Sequence, residues 1–368
     1  MQIVEFGAGT LRFADALPAR APAAGFVWIF LDRGQLEAAL PALQQAAQRL
    51  GGSQLLDLHC ADLLNAAHPS HYDYTSVYDL VVFRRLSTQE EGGQDAARHA
   101  PAGRPEAMPA AFRRISTRAV GFAVFDRLLI SVHPDGCSAA HTFLQRYLAD
   151  AVHSEGLPAA ARSRLPASAA DLMLRMVNQM VDSYLELRKQ LSQQLDHWQQ
   201  ELLRPHSRFA NWNALMAARK ELHVLEDLCE EQHDAMQEWL DTLREQPAGQ
   251  MPQAERDGLI ARSRDVIEHI QRVVHHVRRL EQNAETVVQI HFSAQSNRTN
   301  DIMRVLTALT AVFLPLNLIA GIFGMNFEFI PLLHERGGFW WAIGAMALIT
   351  VALVTLFRRK RYLARTGR

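Results

Sequence analysis

The sequence predicts an α+β/α membrane protein with an N-terminal cytoplasmic α/β domain, a long helical stalk and two C-terminal transmembrane helices. Three observations carry this expectation. Residues 305–327 and 337–357 hold no ionisable side chain, an apolar seven-residue repeat precedes them from Leu259, and short β-rich runs fill the first half. Apolar residues make up 48% and charged residues 21% of the 368, which excludes a disordered chain. Lys plus Arg (38) nearly cancels Asp plus Glu (39), so no global field favours nucleic acid, and any electrostatic function is local.

Residues 1–165 read as the α/β domain. Strand-like runs at 2–6, 25–31, 54–58, 72–86 and 116–132 alternate with helical stretches at 35–50 and 139–153. Residues 89–110, rich in Gly, Pro and Ala, read as a long loop between two strands. The N-terminus has no basic run followed by an apolar core, so no signal peptide is expected. Cys60, Cys137 and Cys229 are far apart with no C-x-x-C, which gives neither a disulfide framework nor a zinc ribbon.

Residues 166–252 read as an antiparallel helical hairpin, its two helices ending near Pro205 and Pro247. The cytoplasmic stalk follows over 253–304, with Leu259, Val266, Val273, Leu280, Val287 and Ala294 on one seam and Ile270, Val277 and Ala284 on a second. No proline interrupts it before Pro315, so the stalk should run into the first span (305–327) as one helix about 105 Å long. A helix of that length is expected to pack against copies of itself.

Each apolar window matches the roughly 20 residues a helix needs to cross a bilayer. The second span covers 337–357, after an outer loop at 328–336. The tail at 358–368 carries Arg358, Arg359, Lys360, Arg361, Arg365 and Arg368 with no acid, which puts it, and both termini, on the cytoplasmic side. Trp340 and Trp341 suit an aromatic belt at the outer interface.

Continued into the first span, the stalk spacing gives Asn300, Met303, Thr307, Thr310, Leu314, Asn317, Gly321 and Gly324 at steps of three and four. This stripe gathers the polar and small side chains on one face, where lipid would disfavour them. Two spans per chain cannot enclose a water-filled path, so the expectation is a symmetric homo-oligomer with the first span innermost. A small-residue helix contact is the plainer alternative.

The stripe ends in Gly324, Met325 and Asn326, within IFGMNFEFIP. This resembles the Gly-Met-Asn signature of the CorA superfamily of divalent-cation channels, whose members also end in two spans, a short outer loop and a basic tail. The likeness is strongest over residues 300–331 and weaker over the first 250. It implies a funnel-shaped homopentamer in the inner membrane that takes up Mg²⁺, with Co²⁺ and Ni²⁺ as further passengers. Asn326 and the carbonyls of Gly324, Met325 and Asn326 would ring an ion that keeps its water. Asn317 and Gly321 would form a second station, Thr310 a polar ring, Leu314, Thr307 and Met303 the constriction, and Asn300 would line the path below. Asp301 matches a position for a regulatory intracellular Mg²⁺. No cofactor is implied.

One departure concerns charge. An acid usually follows the loop proline, whereas here Leu332 and Leu333 follow Pro331, leaving the outer charge to Glu328 and Glu335. The zinc branch of the superfamily typically has a glycine-rich loop where this chain has FEF, which favours Mg²⁺ over a zinc transporter, proton-coupled or not. His269, His275, His276 and His291 on the stalk are spaced for interhelical or solvated roles, because His269 and His276 lie about 10 Å apart by helix rise. A sensor tethered by its spans is the non-transporting alternative. No nucleophile–base pair or phosphate loop marks an enzyme.

Overall fold

The computed structural model describes residues 1–7, 10–22, 25–87, 112, 115–137, 143, 145, 165–203, 212–247, 249, 251–325 and 337–359. The chain divides into two compact units, Met1–Trp198 with Phe209–Ala284, and Gln199–Arg208 with Glu285–Arg368.

The first unit is built on a seven-stranded sheet. Its strands are β1 Gln2–Phe6, β2 Leu11–Ala14, β3 Phe26–Asp32, β4 His71–Tyr74, β5 Tyr78–Leu86, β6 Thr117–Phe125 and β7 Leu128–His133, in the order β2-β1-β3-β7-β6-β5-β4. Only β3 and β7 pair in parallel; every other neighbour is antiparallel. β3 reads FVWIFLD and is buried at every position but the last, as a central strand covered on both faces must be. One face packs Val27, Ile29, Leu80 and Ile130 against Leu36 and Leu43 of α1 (Leu36–Ala46) and Leu63 of α2 (Asp57–Leu64).

Several local expectations are corrected. The strand expected over 54–58 is instead the approach to α2. Asp57 sits in its first turn, and His59, Cys60 and Leu63 turn inward at helical spacing. The Gln44 side chain donates to Leu55 O at 2.9 Å and accepts from Leu55 N at 2.7 Å, so that backbone is satisfied without a ladder. The run at 72–86 is a hairpin rather than one strand, because Thr75 Oγ1 accepts from Tyr78 N at 2.9 Å and donates to Tyr78 O at 2.8 Å. The run at 116–132 is likewise a hairpin of β6 and β7. β2 was not expected at all; its inner residues Arg12 and Phe13 are exposed, so it shows no buried alternation. The loop at 89–110 lies outside the described residues, as does the helix at 139–153 apart from Phe143 and Gln145.

Three helices complete the chain as far as the spans: α3 (Ala169–Leu203), α4 (Trp212–Glu245) and α5 (Gln253–Phe323). α5 is a single helix from stalk into span, as the unbroken spacing requires. Its seam residues Leu259, Val266, Ile270, Val277, Leu280 and Ala284 are buried. The partners belong to the same chain: Trp239 Nε1 of α4 donates to Ser263 Oγ at 3.1 Å, and Ser192 of α3 meets His276 Nε2 at 3.2 Å. Up to Ala284 the neighbouring helices that the seam called for are thus α3 and α4 of the same chain. Ala294 is exposed. The second unit contains the rest of α5 and α6 (Gly338–Arg359).

Candidate functional site

Among the described residues two helices hold stretches long and apolar enough to cross a bilayer, one within α5 and one within α6, each with mean hydropathy 2.1. Only 6% of the first stretch and none of the second is buried in the chain. A core helix of a soluble protein would be mostly buried, so these exposed apolar surfaces require another apolar medium.

Within the second unit the α5 span has two unlike faces. Ala308 is 5% exposed, and Ala311, Val312, Pro315, Leu316, Ile319 and Phe323 are half-buried, all at steps that keep to one side. α6 carries a similar half-buried strip at Ala342, Met346, Ile349, Leu353 and Phe357. The stripe from Asn300 through Met303, Thr307, Thr310, Leu314, Asn317 and Gly321 to Gly324 is exposed at every position, Met303 at 59% and Leu314 at 68%. At 100° per residue the stripe lies on average roughly 160–200° round the helix from the covered strip. The side of the span that a single chain covers is thus the side without the stripe.

The threonines on the stripe are oriented by the helix itself. Thr307 Oγ1 donates to Met303 O at 2.8 Å and Thr310 Oγ1 donates to Leu306 O at 2.9 Å. Each hydroxyl has one proton, so its remaining capacity is as an acceptor, which suits the water shell of a cation. Pro315 has no N–H for the Ala311 carbonyl, and both residues belong to the covered strip rather than the stripe.

At its C-terminal end α5 closes with Gly324 N donating to Ala320 O at 2.9 Å and Met325 N donating to Ile322 O at 3.3 Å. The Met325 N–H thus turns away from the Gly321 carbonyl that a continuing helix would give it. Carbonyls of a last turn carry the negative end of the helix dipole and favour a cation. Gly324 and Met325 are exposed there, and a Cβ on Gly324 would meet Ala320 O at 3.0 Å. Asn326, Glu328 and Glu335 lie outside the described residues.

Asp301 sits on an exposed turn with the Arg304 guanidinium 3.6 Å from its carboxylate. The stalk histidines are dispersed. His276 is buried between Ser192 and Arg279 Nη2, and burial with Arg188 and Arg279 nearby lowers its pKa. His269 stands 3.4 Å from Asp182 and 3.6 Å from Asp265, which fits the interhelical reading.

The family profile described as "CorA-like Mg2+ transporter protein" matches residues 23–359. Over 201 residues the chain is 27% identical to the cobalt/magnesium transport protein CorA of Thermotoga maritima, covering 52% of each protein. The chain thus spans about half the length of that curated relative. The complete structure of the CorA magnesium transporter from Methanocaldococcus jannaschii superposes with a TM-score of 0.71 at 18% identity, over 100% of this chain and 98% of that one. The full-length CmaX protein gives 0.63 at 18% identity, over 98% and 97%. At such identity the two structures speak for the fold.

Proposed function

Because the chain belongs to the CorA-like Mg²⁺ transporter family, we propose that it is a homopentameric channel in the inner membrane that passes a hydrated divalent cation, Mg²⁺ foremost, into the cytoplasm. The observation that carries this reading is the exposed stripe on α5, turned away from the strip that its own chain covers. Several copies placed with their stripes inward would shield those polar groups from lipid and enclose a wet path.

An incoming ion is held at the outer end by Asn326 together with the carbonyls of the Gly324–Met325 turn. Neutral oxygens suit this task, since Mg²⁺ gives up its water reluctantly and is gripped through its hydration shell. Glu328 and Glu335 supply the charge that gathers cations outside. Asn317 and the Gly321 carbonyl form the next station, Thr310 a polar ring, and Leu314, Thr307 and Met303 the narrow stretch above Asn300. Asp301 is the position for a regulatory ion at the inner edge. The membrane potential supplies about 2.3 kcal/mol per charge per 100 mV, twice that for a divalent ion, so inward flow needs no ATP. The basic residues from Arg358 onward orient both termini to the cytoplasm.

The test is flux of Mg²⁺, Co²⁺, Ni²⁺ and Zn²⁺ into liposomes, with and without a pH gradient, for the full chain and for Asn326→Ala. Potential-driven Mg²⁺ flux that Asn326→Ala abolishes is the expected result. Flux of Zn²⁺ alone, driven by the pH gradient, would move the protein to the zinc branch. No flux of any ion would leave the tethered sensor.

A further inference from the structure

On the first unit, away from the spans, His223 and Glu226 of α4 and Glu281 of α5 offer ligand atoms that all lie within 4.8 Å of one another. His223 and Glu226 are one turn apart on a shared helix face, and Glu281 reaches them from the neighbouring helix. We propose that these three side chains form a binding site for a borderline divalent ion, of the Zn²⁺, Co²⁺ or Ni²⁺ class, which ties α4 to the stalk helix.

The donor set decides the class of ion. An imidazole ligand suits Zn²⁺, Co²⁺ or Ni²⁺, with the carboxylates completing the set, whereas Mg²⁺ prefers an all-oxygen octahedron and keeps its waters. Ligand atoms about 2.1 Å from a shared ion stand about 3.4 Å apart in a tetrahedron, so the observed spread closes by rotation of the side-chain ends. His223 and Glu281 supply that movement, since His223 is exposed and Glu281 only half-buried. Arg278 donates to Glu226 Oε1 at 2.6 Å and also to Glu230, fixing the Glu226 carboxylate as an outer partner does for a metal ligand.

Glu226 and Glu281 bring two carboxyl groups together from neighbouring helices, and a dication between them attracts both. His223 is exposed, so an ion reaches the cluster directly from water.

This inference rests on the α4–α5 geometry and not on the pore. Its test is titration of the metal-stripped full chain with Co²⁺, read by the visible absorption of the bound ion. The expected result is a set of d–d bands, displaced by Zn²⁺ but not by a hundredfold excess of Mg²⁺. These bands are lost in His223→Ala and weakened at least tenfold in affinity in Glu281→Gln. The metal-free thermal midpoints of both variants should match the parent, and Asn326→Ala should titrate like the parent, which separates this site from the pore. Identical titrations of parent, His223→Ala and Glu281→Gln would overturn the site, and displacement by Mg²⁺ at equal concentration would overturn the ion class.

Discussion

Asp171, buried in the first turn of α3, is ion-paired with Arg262 of α5 and lies 3.1 Å from Arg175 on its own helix. The same carboxylate accepts from Ala167 N at 3.0 Å, so one side chain starts a helix and ties it to the stalk. Asp171→Ala leaves two guanidinium groups short of their counter-charge and a backbone donor without its acceptor. A loss of about 2–3 kcal/mol is expected, below the full range for breaking a buried pair because Arg262 is partly solvated. A fall of several degrees in the thermal midpoint of the detergent-solubilised chain would register it, and an unchanged midpoint would refute it.

Asp79 predicts a pH effect on stability. Burial, with Asp126 nearby, raises its pKa to about 6, although the Tyr72 hydroxyl at 3.2 Å opposes the shift. The folded chain therefore binds this proton more tightly than the unfolded chain between about pH 4 and 6, and stability falls as pH rises through that window. Asp79→Asn should stabilise the protein by about 1–2 kcal/mol at pH 7.5 and have little effect at pH 4. Midpoints measured at the two pH values check the difference.

Gly121 in β6 faces Leu63 of α2 so closely that an added Cβ would meet Leu63 Cδ2 at 2.2 Å. Gly121→Ala must displace that side chain or the helix carrying it, at a cost of about 1–3 kcal/mol. Combining it with Leu63→Ala should recover part of the loss, since the second change removes the clashing atom. A double-mutant cycle showing simple additivity would contradict the contact.

Leu314 is the most exposed apolar position of the stripe. Under the proposed pore, Leu314→Ala widens the constriction and raises basal cation leak in liposomes several-fold. Leu348→Ala, at an equally exposed position on α6, should leave leak near the parent level. Equal leak from both would show that the register assigned to the stripe is wrong.

The features most legible in the sequence were those that repeat. Two charge-free windows announced the exposed apolar helices, because excluding charge over about 20 residues is a strong signal. Helix boundaries near Pro252 and at Ala169 followed from their flanking residues. Short elements were harder: residues 54–58 gave an apolar run that periodicity cannot assign to strand or helix, and it became the start of α2. The stalk seam was visible, but its occupant was not, since a heptad states that a neighbour exists without saying from which chain. The stripe could be read by spacing alone, whereas its placement opposite the covered strip emerged only in the folded chain. His223, Glu226 and Glu281 were not singled out in the sequence, because Glu281 meets the other two only through the packing of α4 on α5.

The inward-bonded hydroxyls of Thr307 and Thr310 have one more consequence. Their protons are committed to Met303 O and Leu306 O. Under the proposed pore, a chloride ion at these two levels meets hydroxyl oxygens with no proton to offer it, so discrimination against anions there needs no carboxylate.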